Sequence, residues 1–223
     1  MSYPSIFNDV LGPVMRGPSS SHCAASLRIG RLCLDMMDGQ ISKVEISFDP
    51  EGSLATTHEA QGSDMGLFGG FLGWEADDER LEKASEHIAT AGIEIDIKIT
   101  ELKEKHPNTY KLNLYNQHEQ RELIAISTGG GMIEVIEIDG AKVEMDGGFY
   151  ETLIYCRAPD QVMSYLKNNI ICEDIEVHKG TEDTFIEVKA QVPIDETYIN
   201  ELKGFSDVLF LSLIHISEPT RPY

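Results

Sequence analysis

From Ile93 to Thr100 the chain reads IEIDIKIT, and apolar and polar residues alternate without a break. A period of two is the signature of a strand with one face buried and the other turned to water. Strand-like runs follow at Thr109–Tyr115 (TYKLNLY), Glu122–Ser127 (ELIAIS) and Met132–Ile138 (MIEVIEI). Most of the segments up to Met145 are of this kind, so the first part of the chain is predicted to end as an antiparallel sheet.

The residues before that sheet have a helical period. Ala25, Ile29, Leu32 and Met36 fall on one face of a predicted helix over 21–37, and Asp38-Gly39 ends it. Lys43–Asp49 alternates like a strand, with Gly52–Thr57 as its candidate partner. Gly62–Trp74 is apolar and glycine-rich, which suggests a closely packed buried helix. Asp77–Gly92 reads as an amphipathic helix with the stripe Leu81, Ala84, Ile88 and Ala91.

The pattern changes at Asp146–Thr152, a linker-like DGGFYET. Strand, helix, strand, strand, helix and strand then follow, the βαββαβ order of a ferredoxin-like unit. The expected fold class is α+β, with a first domain over 1–148 and a second over 149–210. The stretch LSLIHISEPTR (Leu211–Arg221) matches the in-frame translation of a common sequencing-library adapter. Residues 211–223 are therefore expected to be a non-native tail, and His215 is given no role.

Apolar residues make up 41% of the 223, enough for a packed core, and the formal net charge is −20. So acidic a chain argues against a nucleic-acid partner, which needs a basic face. There is no apolar run of membrane-spanning length and no signal-peptide pattern, so the expectation is a cytoplasmic location with no membrane partner. Cys23, Cys33, Cys156 and Cys172 are not spaced as metal ligands, and no metal ligand is assigned.

RGPSSSHCAAS (Arg16–Ser26) is the segment richest in chemistry. Pro18 fixes the approach, and a serine is expected to cap the next helix. The free N–H groups and dipole of a helix start attract an anion such as a carboxylate. Ser19, Ser20 and Ser21 add hydroxyl donors, and His22 adds an acid or base. The same residues are also compatible with a capped helix and an incidental histidine. A serine nucleophile is disfavoured, since no nucleophile elbow is present. His106 precedes Pro107 in a restricted geometry that could position it for proton transfer, though most lone histidines are simply surface residues. Ser127–Glu134 (STGGGMIE) suits a hairpin turn, a tight interface or a ligand approach. Ser63 or Asp64 is a candidate cap for the glycine-rich helix. His58, Glu59 and Asp64 resemble a metal-ligand set only loosely, and His87, His118 and His178 read as unremarkable.

Together these blocks are more specific than each alone. SIFNDVLGPVMRGPSSSHCAASLRIGRL, GSDMGLFGGFLG, HPNTYKLNL and ISTGGGMIEV occur in one order. The chain thereby resembles the β chain of iron–sulfur-dependent L-serine dehydratase over residues 3 to about 145. The following unit resembles the ACT domain of many such chains. The resemblance implies deamination of L-serine to pyruvate and ammonia, with a [4Fe-4S] cluster as Lewis acid. It implies that the cluster is held by the cysteines of an α partner, not by this chain. It implies catalytic roles for His22 and His106, and substrate binding by Ser19, Ser20, Ser21, Gln61 and Asp64. It also implies a small amino-acid ligand at the ACT-like unit.

Two positions depart from the family pattern. Cys23 stands where threonine is usual, and Gln61 stands where the G-H-G-T-D block has a histidine. Glutamine cannot act as a general base. A dehydratase for another β-hydroxy amino acid, or a non-catalytic amino-acid-binding regulator, is the alternative expectation.

Overall fold

The computed structural model describes residues 16–104 and 106–214. The start of the resembling block (SIFNDVLGPVM) and His215 lie outside them. The chain is α+β, built on two sheets.

The first sheet has the strand order β2-β1-β3-β4-β5-β6. Its strands are β1 (Lys43–Phe48), β2 (Glu94–Ile99), β3 (Thr109–Tyr115), β4 (Gln120–Gly129), β5 (Met132–Ile138) and β6 (Ala141–Met145). All neighbours run antiparallel except β1 and β2, which are parallel. Helices connect that pair, as a parallel crossover requires. The triple glycine closes the β4–β5 hairpin, and Gly129, Gly130 and Gly131 all have positive φ.

Two helices carry the core above this sheet, α1 (Ser20–Met36) and α3 (Ser63–Phe71). They cross on small residues. A Cβ on Gly70 would lie 2.3 Å from the Leu27 carbonyl oxygen, and one on Gly66 would lie 2.2 Å from that of Cys23. Only a residue without a side chain lets the backbones approach this closely. Arg28 of α1 donates to the Gly131 carbonyl at 2.5 Å and so ties the helix to the glycine turn.

Two expectations for this half are corrected. Gly52–Thr57 does not pair with β1, because both edges of β1 are already taken by β2 and β3. Leu54–Thr57 instead form a one-turn helix, α2, and Thr57 Oγ1 donates to the Ser53 carbonyl. Nor is 77–92 one continuous helix. Asp78 accepts from the Arg80 N–H and pairs with its guanidinium, which lies over the Trp74 ring. That local pairing tightens Glu79–Lys83 into a 3₁₀ turn before α4 (Ala84–Thr90). His87 is half-buried rather than fully solvated, and packs edge-on against Trp74 at 5.1 Å.

The second sheet has the order β10-β7-β9-β8, all antiparallel. Its elements run β7 (Tyr150–Cys156), α5 (Pro159–Asn169), β8 (Asp174–Lys179), β9 (Thr184–Ala190), α6 (Glu196–Lys203) and β10 (Val208–Ile214). The faces alternate. Ile154, Ile186 and Val188 pack with α5 and α6, while Leu153, Tyr155, Phe185 and Ile214 join the core of the first sheet. The second unit is thus docked on the first through part of one face. Arg121 fastens the seam: it ion-pairs with Asp139 and Asp183, and its guanidinium lies 4.1 Å from the Tyr155 ring centre. The boundary expected at Phe210 falls inside β10. Leu211 and Ile214 are buried on opposite faces of the sheet, so the alternation carries the strand past that point.

Candidate functional site

The start of α1 lies against the turn that opens α3. The Ser19 N–H donates to the Gln61 carbonyl at 3.3 Å, and a Cβ on Gly62 would be 2.9 Å from Pro18 Cδ. Gly62 has φ +80°, a left-handed value that turns the chain into α3. The GPSSSH segment and the 60–64 block are therefore one surface, although 40 residues separate them.

Within it, Ser19 occupies the N-cap position of α1 but makes no side-chain cap. Its Oγ lies 2.8 Å from His22 Nδ1 instead. The first-turn N–H groups of α1 are left without a capping side chain, and no acidic side chain stands in that turn. The exposed Ser20 and half-buried Ser21 and His22 border this positive helix end.

At the start of α3 the cap is Gly62, so neither Ser63 nor Asp64 serves as expected. Each has another partner. Asp64 lies with both carboxylate oxygens 2.8 Å from His58 Nδ1. Burial raises its pKa against the opposing pull of His58. Phe48 stacks on the His58 ring at 5.1 Å and fixes it. Ser63 is fully buried and accepts from the Tyr110 hydroxyl at 3.3 Å. Burial likewise raises the Tyr110 pKa. The sequence suggested His58 only as part of a loose metal-ligand set with Glu59 and Asp64, and did not single out Tyr110. The imidazole beside Asp64 comes from three positions before Gln61, and Tyr110 reads simply as an inward strand residue. Glu59 is exposed and does not join His58 and Asp64 in a metal-capable group.

His106 stands apart from this cluster. Its Nδ1 accepts from the Asn108 N–H at 3.2 Å, which leaves Nε2 for a proton. It lines a cavity of about 550 Å³ with Asp49, Glu51, Glu101 and Glu104. Among the described residues no hydrogen bond joins it to Ser19 or His22. Asn108 links its loop to the glycine turn through the Ser127 N–H.

The cysteines do not fit an iron–sulfur cluster. Cys23 and Cys33 lie in α1, Cys156 ends β7 and Cys172 precedes β8. Among the described residues no cysteine belongs to a metal-capable group of three. Burial pushes the Cys23 thiol up to about 11 and raises those of Cys33, Cys156 and Cys172.

Fold and site together define an α+β protein with a serine- and histidine-lined helix end, joined to a second sheet unit. Residues 11–137 match the family described as serine dehydratase beta chain. The chain belongs to that family. It is 36% identical over 154 residues to the "Probable L-serine dehydratase, beta chain" of Bacillus subtilis (strain 168), covering 69% of each chain. It is 30% identical over 205 residues to the "L-serine dehydratase, beta chain" of Peptoniphilus asaccharolyticus, covering 88% of this chain and 91% of that one. Among the described residues no helix is long and apolar enough to cross a membrane.

Proposed function

We propose that this chain is the β subunit of an iron–sulfur-dependent L-serine dehydratase that forms pyruvate and ammonia together with an α subunit. The observation that carries the reading is the uncapped start of α1, whose own N-cap hydroxyl is turned onto His22. A substrate carboxylate takes the place that a capping side chain would fill. Ser20 and Ser21 add hydroxyl donors to it. His22, held by Ser19, lies beside the carboxylate as an acid–base group, and Asp64 with Gln61 completes the binding surface. His106 is the second proton-transfer residue, acting through Nε2. Loss of the α-proton and the β-hydroxyl gives the aminoacrylate. That tautomerises to the imine, and water releases pyruvate and ammonia.

The [4Fe-4S] cluster is assigned to the α partner, because the four cysteines here are scattered over α1, the end of β7 and the approach to β8. The unit from β7 to β10 is read as a ferredoxin-like, ACT-like domain taking a small amino acid. Its element order and its strand order β10-β7-β9-β8 support that reading. Gln61 beside Ser19 favours one variation, a different β-hydroxy amino acid as substrate.

The test is anaerobic co-expression with a cysteine-bearing α chain, following pyruvate from L-serine and the corresponding 2-oxo acid from other β-hydroxy amino acids. Pyruvate from L-serine supports the main reading. An intact cluster with no turnover of any of them rejects the enzymatic one.

A further inference from the structure

We propose that Glu176, His178 and Glu187 form a binding site for one divalent cation of the zinc class. The site lies on the second sheet, away from the helix end described above, and does not depend on the dehydratase reading.

The strand register builds it. Glu176 and His178 are two residues apart on β8 and share a face, and Glu187 of β9 stands directly opposite Glu176. His178 Nε2 lies 2.7 Å from Glu187 Oε2 and 3.8 Å from Glu176 Oε2. All three donor atoms fall within 4.8 Å of one another. Tetrahedral zinc, with bonds of about 2.0–2.1 Å, holds its ligand atoms about 3.3 Å apart. The observed separations straddle that value. Phe185 stacks on the His178 ring at 5.0 Å and fixes its plane.

The charge pattern asks for a cation. Two glutamates directly opposite on neighbouring strands repel each other. The Glu187 side chain is only 1% exposed, and its Oε1 has no hydrogen bond. The ammonium of Lys189 is 3.5 Å from that oxygen, and it donates to the Glu144 carbonyl. Buried carboxylates persist when paired or on a metal. One imidazole and two carboxylates suit zinc, with a fourth position for water. Calcium and magnesium require six or more ligands, mostly oxygen. An open cavity of about 510 Å³, lined by Glu176 and Glu187, provides entry.

The experiment is calorimetric titration of the purified full chain with zinc chloride alone, repeated with cobalt chloride and read by visible absorption. Wild type is expected to bind one zinc at this site and to give the intense bands of tetrahedral cobalt. His178→Gln and the more exposed Glu176→Gln should each weaken that binding about tenfold or more, with circular dichroism unchanged. A wild type that takes up no zinc, or a His178→Gln variant that binds as tightly as wild type, overturns the proposal. No turnover is measured, so either result is independent of the enzymatic test.

Discussion

Ser19 Oγ and His22 Nδ1 lie 2.8 Å apart, so the hydroxyl at the N-cap of α1 is spent on an imidazole rather than on the helix. Two consequences follow from one contact. The helix end keeps its electropositive N–H groups for an anion, and His22 is held in one orientation.

Ser20, exposed beside that end, is expected to act on binding. Ser20→Ala should raise KM for L-serine about tenfold, the worth of one hydrogen bond to a charged group, with kcat little altered. Steady-state pyruvate formation by the α–β enzyme checks this. An unaltered KM would argue against the carboxylate cradle.

His106 is half-buried in a loop, where it lines the edge of a cavity. His106→Ala should leave the thermal midpoint near wild type while lowering kcat by roughly 10²–10⁴, the range of acid–base catalysis. Turnover at the wild-type rate would remove it from the mechanism.

Gly70 sits where α3 crosses α1. In an open helix, Gly→Ala stabilises by about 1 kcal/mol. Here the new methyl would meet the Leu27 carbonyl oxygen at 2.3 Å and Gly30 Cα at 2.7 Å. Gly70→Ala should therefore destabilise by about 1–3 kcal/mol or more, the opposite sign. Urea unfolding distinguishes the two.

Glu151 makes a pH prediction. Burial, then the Glu187 carboxylate, push it up to about 8 from an ordinary value of 4.5; Lys189 opposes the shift and Asp146 adds to it. The folded state thus binds the proton more tightly than the unfolded one. Its contribution is fully present below pH 4.5 and is lost as pH rises through about 8. Urea midpoints in chelator-containing buffer should decline over that window, and Glu151→Gln should flatten the decline. An equally steep decline in the variant would assign it to other groups.

Much of the architecture was legible residue by residue. The alternation in β2–β5 and the glycine punctuation at Asp38-Gly39 are local, because strand and helix periods are written in neighbouring side chains. The failures were also physical. Gly52–Thr57 could not be recognised as a helical turn without knowing that both edges of β1 were occupied. The break within 77–92 depended on Arg80 reaching both Asp78 and Trp74.

For the site, the chain alone revealed the composition: three serines and a histidine at a helix start, His106 before a proline, Gln61 and Asp64 beside a glycine. It also determined the family, through the order of its blocks. The partnerships came from packing. His58 rather than position 61 supplies the imidazole at Asp64, Tyr110 meets Ser63, and Glu187 faces Glu176 across a strand pair. Such pairs are distant along the chain, or set by register. They exist only once packing has brought two backbones together and excluded the water that would otherwise satisfy each group alone.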